Sequence, residues 1–365
     1  MLKDSRRSDF YAKYNIMYCE PIPHSRPYIT DSDIKAVTSA LESGQLSQGS
    51  SVNKFERNLA DFIGKKEAVA TSSGTAALHL SLSALGVKEK DEIIIPSFVC
   101  TAVLNAVNYT GATPRIVDIE SSTFNISVEA VKKAVNKKTR AVIVPHMFGC
   151  PAEIDALSDL GIPIIEDCAQ AIGVTFKGQN VGSFGLLSVF SFYATKVITS
   201  GEGGMVLSDS RELISKIRDL RGYDNRDDYV LRYNYKMTDL QASLGFNQLS
   251  FLEEFITKRR EIAVRYFREF KDCDFTLPPW KEGNEHIYYR FVVKTRGNAS
   301  DYLEKTEEKK VMCRRPVYIP LHVYLNLSGF PHSSEAWKRT ISIPLYPSLK
   351  ENEVERIIRV IKEVF

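Results

Sequence analysis

A lysine stands in Ser191-Phe192-Tyr193-Ala194-Thr195-Lys196-Val197, just after an apolar run, Leu186 to Phe192, that reads as a buried strand. Small and hydroxyl residues crowd around Lys196, and Gly201, Gly203 and Gly204 follow, which is a poor setting for a solvated surface charge. A desolvated lysine amine shifts its pKa readily and suits Schiff-base chemistry. Upstream, Ile162-Pro163-Ile164-Ile165-Glu166-Asp167 puts an acid at the end of another buried run. An aspartate there could hold a protonated pyridine nitrogen, the partner expected for pyridoxal 5'-phosphate (PLP). Together the two segments suggest a PLP enzyme. Taken singly, Asp167 also reads as a helix N-cap and Lys196 as an ordinary loop lysine.

A third segment, Thr71-Ser72-Ser73-Gly74-Thr75-Ala76, ends a strand and opens a helix. Free backbone N–H groups, the helix dipole and the hydroxyls of Ser73 and Thr75 favour an anion there, although a plain Ser/Thr cap uses the same residues. Phe98 follows the Ile93–Ile95 strand, where a ring could stack on a flat cofactor or belong to the core. Gln170 lies three residues after Asp167 and could donate to a phenolate oxygen of such a cofactor. His146 reads as a satisfied core histidine, and the six histidines show no H-E-x-x-H or similar spacing, so no metal site is expected. The G-x-G-x-x-G, G-x-x-x-x-G-K-[ST] and G-x-S-x-G patterns are absent, which leaves a Rossmann, P-loop or hydrolase reading unsupported.

The elements must bring these segments together. Apolar runs at Ala68–Thr71, Glu92–Ile95, Thr113–Val117, Ala141–Val144, Ile162–Ile165, Leu187–Phe190 and Gly204–Leu207 alternate with helix-like stretches such as Thr75–Leu85, Ala102–Tyr109 and Val128–Val135. Strands apolar throughout and separated by helices predict an α/β fold, with a mainly parallel sheet covered on both faces. Ligands in such sheets collect beyond the carboxyl ends of the strands, where most of the singled-out residues fall. Ahead of the sheet, a helix capped within Thr30–Asp33 is expected to turn Ile34, Val37, Ala40 and Leu41 inward, and a second to bury Phe55, Leu59 and Phe62. A long helical stretch from Asp239 to about Phe270 could bridge two domains, and 275–285 reads as a connector. Tyr288–Val293 reads as a strand, and Glu351–Phe365 as a closing amphipathic helix. Residues 1 to about 20 read as a polar arm.

Bulk properties bound the class. With 365 residues, 44% hydrophobic and 25% charged, the chain has room for two domains in an ordinary globular protein. A net charge of +3 from 48 basic and 45 acidic residues does not call for nucleic acid or a membrane surface. Cysteines 19, 100, 150, 168, 273 and 313 form no C-x-x-C pair and read as reduced thiols. The polar start predicts no secretory signal, and no run of about 18 apolar residues predicts a membrane span, so a cytoplasmic protein is expected.

These segments, in this order, resemble the PLP-dependent nucleotide-sugar aminotransferases (the DegT/StrS group, fold type I, aspartate aminotransferase superfamily). Further markers are Gly201-Glu202-Gly203-Gly204, Tyr233-Asn234-Tyr235-Lys236-Met237-Thr238-Asp239 and Ile343-Pro344-Leu345-Tyr346-Pro347, so the resemblance runs from about Pro21 to the last helix. It implies a seven-stranded sheet sandwiched by helices plus a smaller α+β C-terminal domain, with an arm at 1–30, a PLP-binding domain at 31–250 and a small domain at 251–365. It implies that Lys196 forms the Schiff base and shuttles a proton, and that Asp167 pairs with the pyridinium nitrogen. Phe98 would be the stacking ring, Ser73, Gly74, Thr75 and Ser191 the phosphate contacts, and Gln170 the neighbour of the ring oxygen. Asn234 would reach the phosphate of an adjacent subunit's cofactor, which makes the active site shared and the enzyme a homodimer. His322, Lys236 and Tyr318 are the substrate candidates. Lys236 stands where many members have Arg, and Val197 where Asn is frequent, departures that bear on the sugar pocket more than on the cofactor.

The reaction implied is transfer of an amino group from L-glutamate to a nucleotide-linked keto-deoxy sugar. The rivals are a PLP-dependent sugar dehydratase, whose members carry His in place of the lysine, and a PLP-binding regulator without turnover. Against the latter stands the lack of a basic tail or DNA-binding segment.

Overall fold

The computed structural model describes residues 20–365; the first nineteen residues of the expected arm lie outside them. Seven strands form the central sheet: β1 (Glu67–Thr71), β2 (Glu92–Pro96), β3 (Thr113–Val117), β4 (Thr139–Pro145), β5 (Ile164–Asp167), β6 (Leu187–Ser191) and β7 (Gly204–Ser208). Their order is β1-β7-β6-β5-β4-β2-β3, and β7 alone runs against the rest, pairing antiparallel with β1 and β6. Successive residues feed opposite faces: Ile93, Ile95, Ile143 and Ile165 enter one core, Ile94, Val142, Val144 and Ile164 the other. Each fully buried side chain of this kind contributes about 1.5–3 kcal/mol of transfer free energy, and two apolar faces require helices on both sides.

Those helices, in chain order, are α1 (Asp31–Glu42), α2 (Ser50–Ile63), α3 (Gly74–Ala84), α4 (Thr101–Tyr109), α5 (Val128–Ala134), α6 (Arg211–Leu220), α7 (Asp239–Ser250) and α8 (Leu252–Phe270). Two sequence expectations are corrected in the first pair. Ile34 and Leu41 are 59% and 53% exposed, because α1 is tied down by a polar link instead. The Asp33 carboxylate, itself buried, closes the capping box with Thr30 and accepts from Asn247 at 2.8 Å and Gln248 at 2.9 Å, both on α7. In α2 the buried stripe is Val52, Phe55, Leu59 and Ile63, and Phe62 faces outward. Asp239 at the start of α7 accepts from the backbone N–H groups of Gly49 and Val52, capping a helix whose own N-cap, Gly49, has no side chain to do so.

The predicted continuous helix from Asp239 breaks at Phe251, whose N–H bonds back to Gln248 in a tightened turn before α8 begins. α8 does span two cores: Leu252, Phe255 and Ile256 pack beneath the large sheet, Ala263, Tyr266 and Phe270 in a separate C-terminal cluster. That cluster is built on a three-stranded antiparallel sheet of β8 (Phe275–Thr276), β9 (Phe291–Thr295) and β10 (Thr340–Ile343), flanked by α9 (Ala299–Glu308) and α10 (Glu351–Val364). Val354, Ile357, Ile358 and Ile361 of α10 face inward as expected. Ile22 joins the same cluster through a parallel bridge to Val311, so the chain is already anchored there.

The strand expected from Tyr288 starts only at Phe291. Tyr288 has a left-handed φ of 49°, and the segment before β9 docks instead on the large sheet's loops, with Ile287 N–H donating to Gly149 O and Arg290 N–H to Phe148 O. His286 sits at this joint, its Nδ1 accepting the Tyr288 N–H at 3.0 Å and its ring stacked on Tyr288. Burial, helped by Arg260 and Lys281, depresses its pKa to about 3. A histidine held neutral contributes stability above its unfolded pKa of about 6.5, and that contribution is lost as pH falls, at up to about 1.4 kcal/mol per pH unit. Urea midpoints should therefore drop between about pH 6.5 and pH 4, and His286→Asn should flatten the slope; an equally steep variant would remove His286 as the cause.

Candidate active site

Three strand ends converge. β5 ends at Asp167, β6 at Ser191, and β1 at Thr71 just ahead of α3. Beyond them lies a cavity of about 240 Å³ lined by Ser73, Gly74, Thr75, Cys100, Asp167, Ser191, Tyr193, Lys196 and Glu202, among others. The sequence-predicted lysine, aspartate, serines, glycine and threonine thus share one wall system although they are spread over more than 120 residues.

The α3 end of the cavity is built from close backbone contacts. Ser73 caps α3, its Oγ accepting the Ala76 N–H at 3.1 Å, while Thr71 Oγ1 donates to the Ser73 carbonyl. A Cβ on Gly204 would lie 2.4 Å from the Ser73 oxygen and 2.7 Å from the Gly74 nitrogen. One on Gly74 would meet the Ser191 Cβ at 2.9 Å. Only glycines let β7, β6 and the helix start meet this closely. The result is a helix N-terminus with hydroxyls beside it, a site for an anionic group.

Lys196 rides on the 192–203 connection, which is closed at its neck. Phe192 N–H donates to Gly203 O, and Phe192 O accepts from Ser200 N–H and Thr199 Oγ1, while Lys196 N–H bonds to Tyr193 O. Asp167, 7% exposed, accepts from the Ala169 N–H at 3.0 Å. Burial raises its carboxyl pKa against the opposing pull of that N–H, Lys196 and His146. Beneath it Glu166 is wholly buried yet held below the usual carboxylate range. Burial would raise it, but His146 and the N–H groups of Gly182, Phe184 and Gly185 prevail. His146 Nδ1 accepts from Ala152 N–H, so Nε2 carries the proton donated to Glu166. His146, Glu166 and Cys168 lie close enough to suggest a metal cluster, but these bonds already occupy the histidine and the carboxylate.

Other expected site residues lie elsewhere. Phe98 is fully buried against Phe124 and Phe148 and does not line the cavity; the wall at that strand end is made by Cys100, the N-cap residue of α4. The strand-end loop runs two residues further than the ring, a geometry that an isolated Phe does not signal. Gln170 Oε1 accepts the Phe148 N–H at 2.9 Å and fixes that loop. Of the substrate candidates, His322 is buried between Ser97 and Ser334 hydroxyls, Lys236 is paired with Asp224, and Tyr318 is 78% exposed. Asn234 is exposed and outside the lining. Cys100, Tyr193 and Glu202 carried no sequence signal of their own.

The donor set suits a flat ring with an anionic group at one end and a basic nitrogen at the other. Helix N–H groups and hydroxyls would receive the anion and a buried carboxylate would pair with the nitrogen, with a lysine amine lining the same cavity. Known proteins agree. The sequence matches the DegT/DnrJ/EryC1/StrS aminotransferase family over residues 27–362. It is 36% identical to GDP-perosamine synthase of Vibrio cholerae, covering 94% of this chain and 99% of that protein. To the spore coat polysaccharide biosynthesis protein SpsC of Bacillus subtilis it is 34% identical, covering 94% and 97%. Among solved structures, the PLP form of Spr1654 from Streptococcus pneumoniae superposes with a TM-score of 0.88 at 27% identity, covering 94% of this chain and 98% of that one. PseC of Helicobacter pylori, an aminotransferase involved in pseudoaminic acid biosynthesis, gives 0.88 at 27%, covering 95% and 99%.

Proposed function

The chain belongs to the DegT/DnrJ/EryC1/StrS aminotransferase family and is a PLP-dependent sugar aminotransferase, and from that premise we propose that it moves the amino group of L-glutamate to a nucleotide-linked keto-deoxy sugar. The observation that carries the reading is the cavity in which Lys196 and Asp167 meet an anion-binding helix start, in a chain similar over nearly its whole length to GDP-perosamine synthase. PLP, when bound, supplies an electron sink for carbanion chemistry.

The chain's own residues do the rest. Lys196 Nζ holds the cofactor covalently and carries the proton to and from the reacting substrate carbon. The Asp167 carboxylate keeps the ring nitrogen protonated. Ser73, Gly74, Thr75 and Ser191 hold the anionic group. Asn234 reaches from a second copy of the chain, which makes the enzyme a homodimer. Residues 31–250 form the cofactor-binding domain and 251–365 the smaller one, with 1–30 as an arm. Nucleotide binding remote from the chemistry orients the keto carbon at Lys196. Among the described residues no helix is long and apolar enough to cross a membrane.

The purified protein should show a visible Schiff-base band that collapses on addition of L-glutamate. A band indifferent to glutamate would point to another donor, to a dehydratase or to a regulator. No band even after adding PLP would overturn the Lys196 assignment.

A further inference from the structure

Tyr289 is buried beside the lysine and surrounded by positive charge. Lys196 Nζ lies 5.6 Å from its ring centre, the Arg290 guanidinium 4.9 Å and that of Arg259 5.9 Å. Arg290 Nη2 donates to the phenol oxygen at 3.4 Å, and the Thr195 side chain bonds to it as well. Among the described residues, no Asp or Glu forms an ion pair with Arg259, Arg290 or Lys196. Arg259 is itself 3% exposed; its Nη1 meets only the carbonyls of Tyr289 and Leu345, and its Nε has no partner. His24, behind Arg290, accepts from Arg290 Nη1 through Nδ1 at 2.9 Å and is kept neutral by burial, Arg290 and Arg314, so it adds no compensating charge. Asp167 and Glu202 line the cavity with Lys196, and Lys196 acts electrostatically on the Asp167 carboxyl.

Three cations around one buried ring call for an anion. We propose that the Tyr289 phenol is that anion, a positioning residue that ionises inside the cage and acts electrostatically on the Lys196 nitrogen. The loss is a simple one: the O–H proton leaves to solvent and the phenolate oxygen stays beside Arg290, with Lys196 over the ring. The charge environment supports this. Burial alone would raise the phenol, but Arg290, Lys196, the Thr195 bond and Arg259 outweigh it and bring it to about 7. A phenolate favours a proton on the Lys196 nitrogen; a neutral phenol does not. The inference rests on Lys196 being the reactive amine of the function proposed above.

The first test uses cofactor-free protein, so it reads Tyr289 whether or not the sugar reaction is right. Ultraviolet absorbance should reveal one phenolate appearing near about pH 7, and Tyr289→Phe should remove that step while keeping the ring and the fold. Arg290→Gln should move it upward by about one pH unit or more. In cofactor-loaded protein, the pH midpoint of the visible band should fall in Tyr289→Phe, because a cation at the Lys196 nitrogen loses its counter-charge. Tyrosine ionisation confined to about pH 9 and above, or a near-neutral step that survives in Tyr289→Phe, would overturn the proposal. So would a visible-band midpoint that does not move.

Discussion

Lys196→Ala is expected to lower multiple-turnover activity by on the order of 10⁵–10⁶, the scale on which removal of a covalent nucleophile is felt. The structure separates this from a folding defect. The Lys196 side chain lines the cavity, and no ion pair holds it among the described residues. The surrounding loop is fastened through Phe192, Thr199, Ser200 and Gly203, none of which the substitution touches. Thermal stability should stay near that of the parent while the Schiff-base band disappears. Lys196→Arg is the sharper control, since it keeps the charge and most of the length but has no amine able to condense with a carbonyl. Appreciable turnover in either variant would show that another group performs the chemistry.

Asp167→Asn should reduce kcat by on the order of 10²–10³, the effect of deleting one preorganised electrostatic partner, and should weaken cofactor retention. Asn keeps the size and can still accept from Ala169, so the change isolates charge. Without cofactor the effect should reverse. A buried carboxyl whose folded pKa is raised destabilises the protein progressively as pH rises from the unfolded value of about 3.9 through the folded one. At neutral pH the cofactor-free Asn variant should therefore be more stable than the parent, the mark of a site strained for function. Melting curves with and without PLP, alongside kcat, check both signs. If the cofactor-free variant were less stable than the parent, Asp167 would be a structural carboxylate.

Most of the sheet could be read from the sequence because its strands are apolar on both faces and their ends carry the punctuation of turns and helix starts. Lys196, Asp167 and the Ser73–Thr75 segment stand out in the sequence because their chemistry is unusual for their position, and the fold places them around one cavity. The failures have particular causes. Ile34 and Leu41 look like an inward stripe, yet the buried Asp33 network with Asn247 and Gln248 decides how α1 sits, and long-range polar links leave no local period. Phe98 packs against Phe124 while Cys100, two residues on, lines the cavity, a placement set by the reach of the loop, which is a tertiary property. Tyr289 reaches Lys196 only through the docking of the segment before β9 on Gly149 and Phe148, some 90 residues from the lysine, which no spacing rule detects.

The loop that carries Lys196 is a noose drawn tight at Phe192 and Gly203. An amine on four methylenes swings about a root that the loop does not let travel. In the reaction proposed above that amine moves only the proton at the substrate carbon, so the substrate has to be turned to meet it. On that proposal a change in which carbon is aminated should follow substitutions in the residues that grip the substrate, with the lysine loop left as it is.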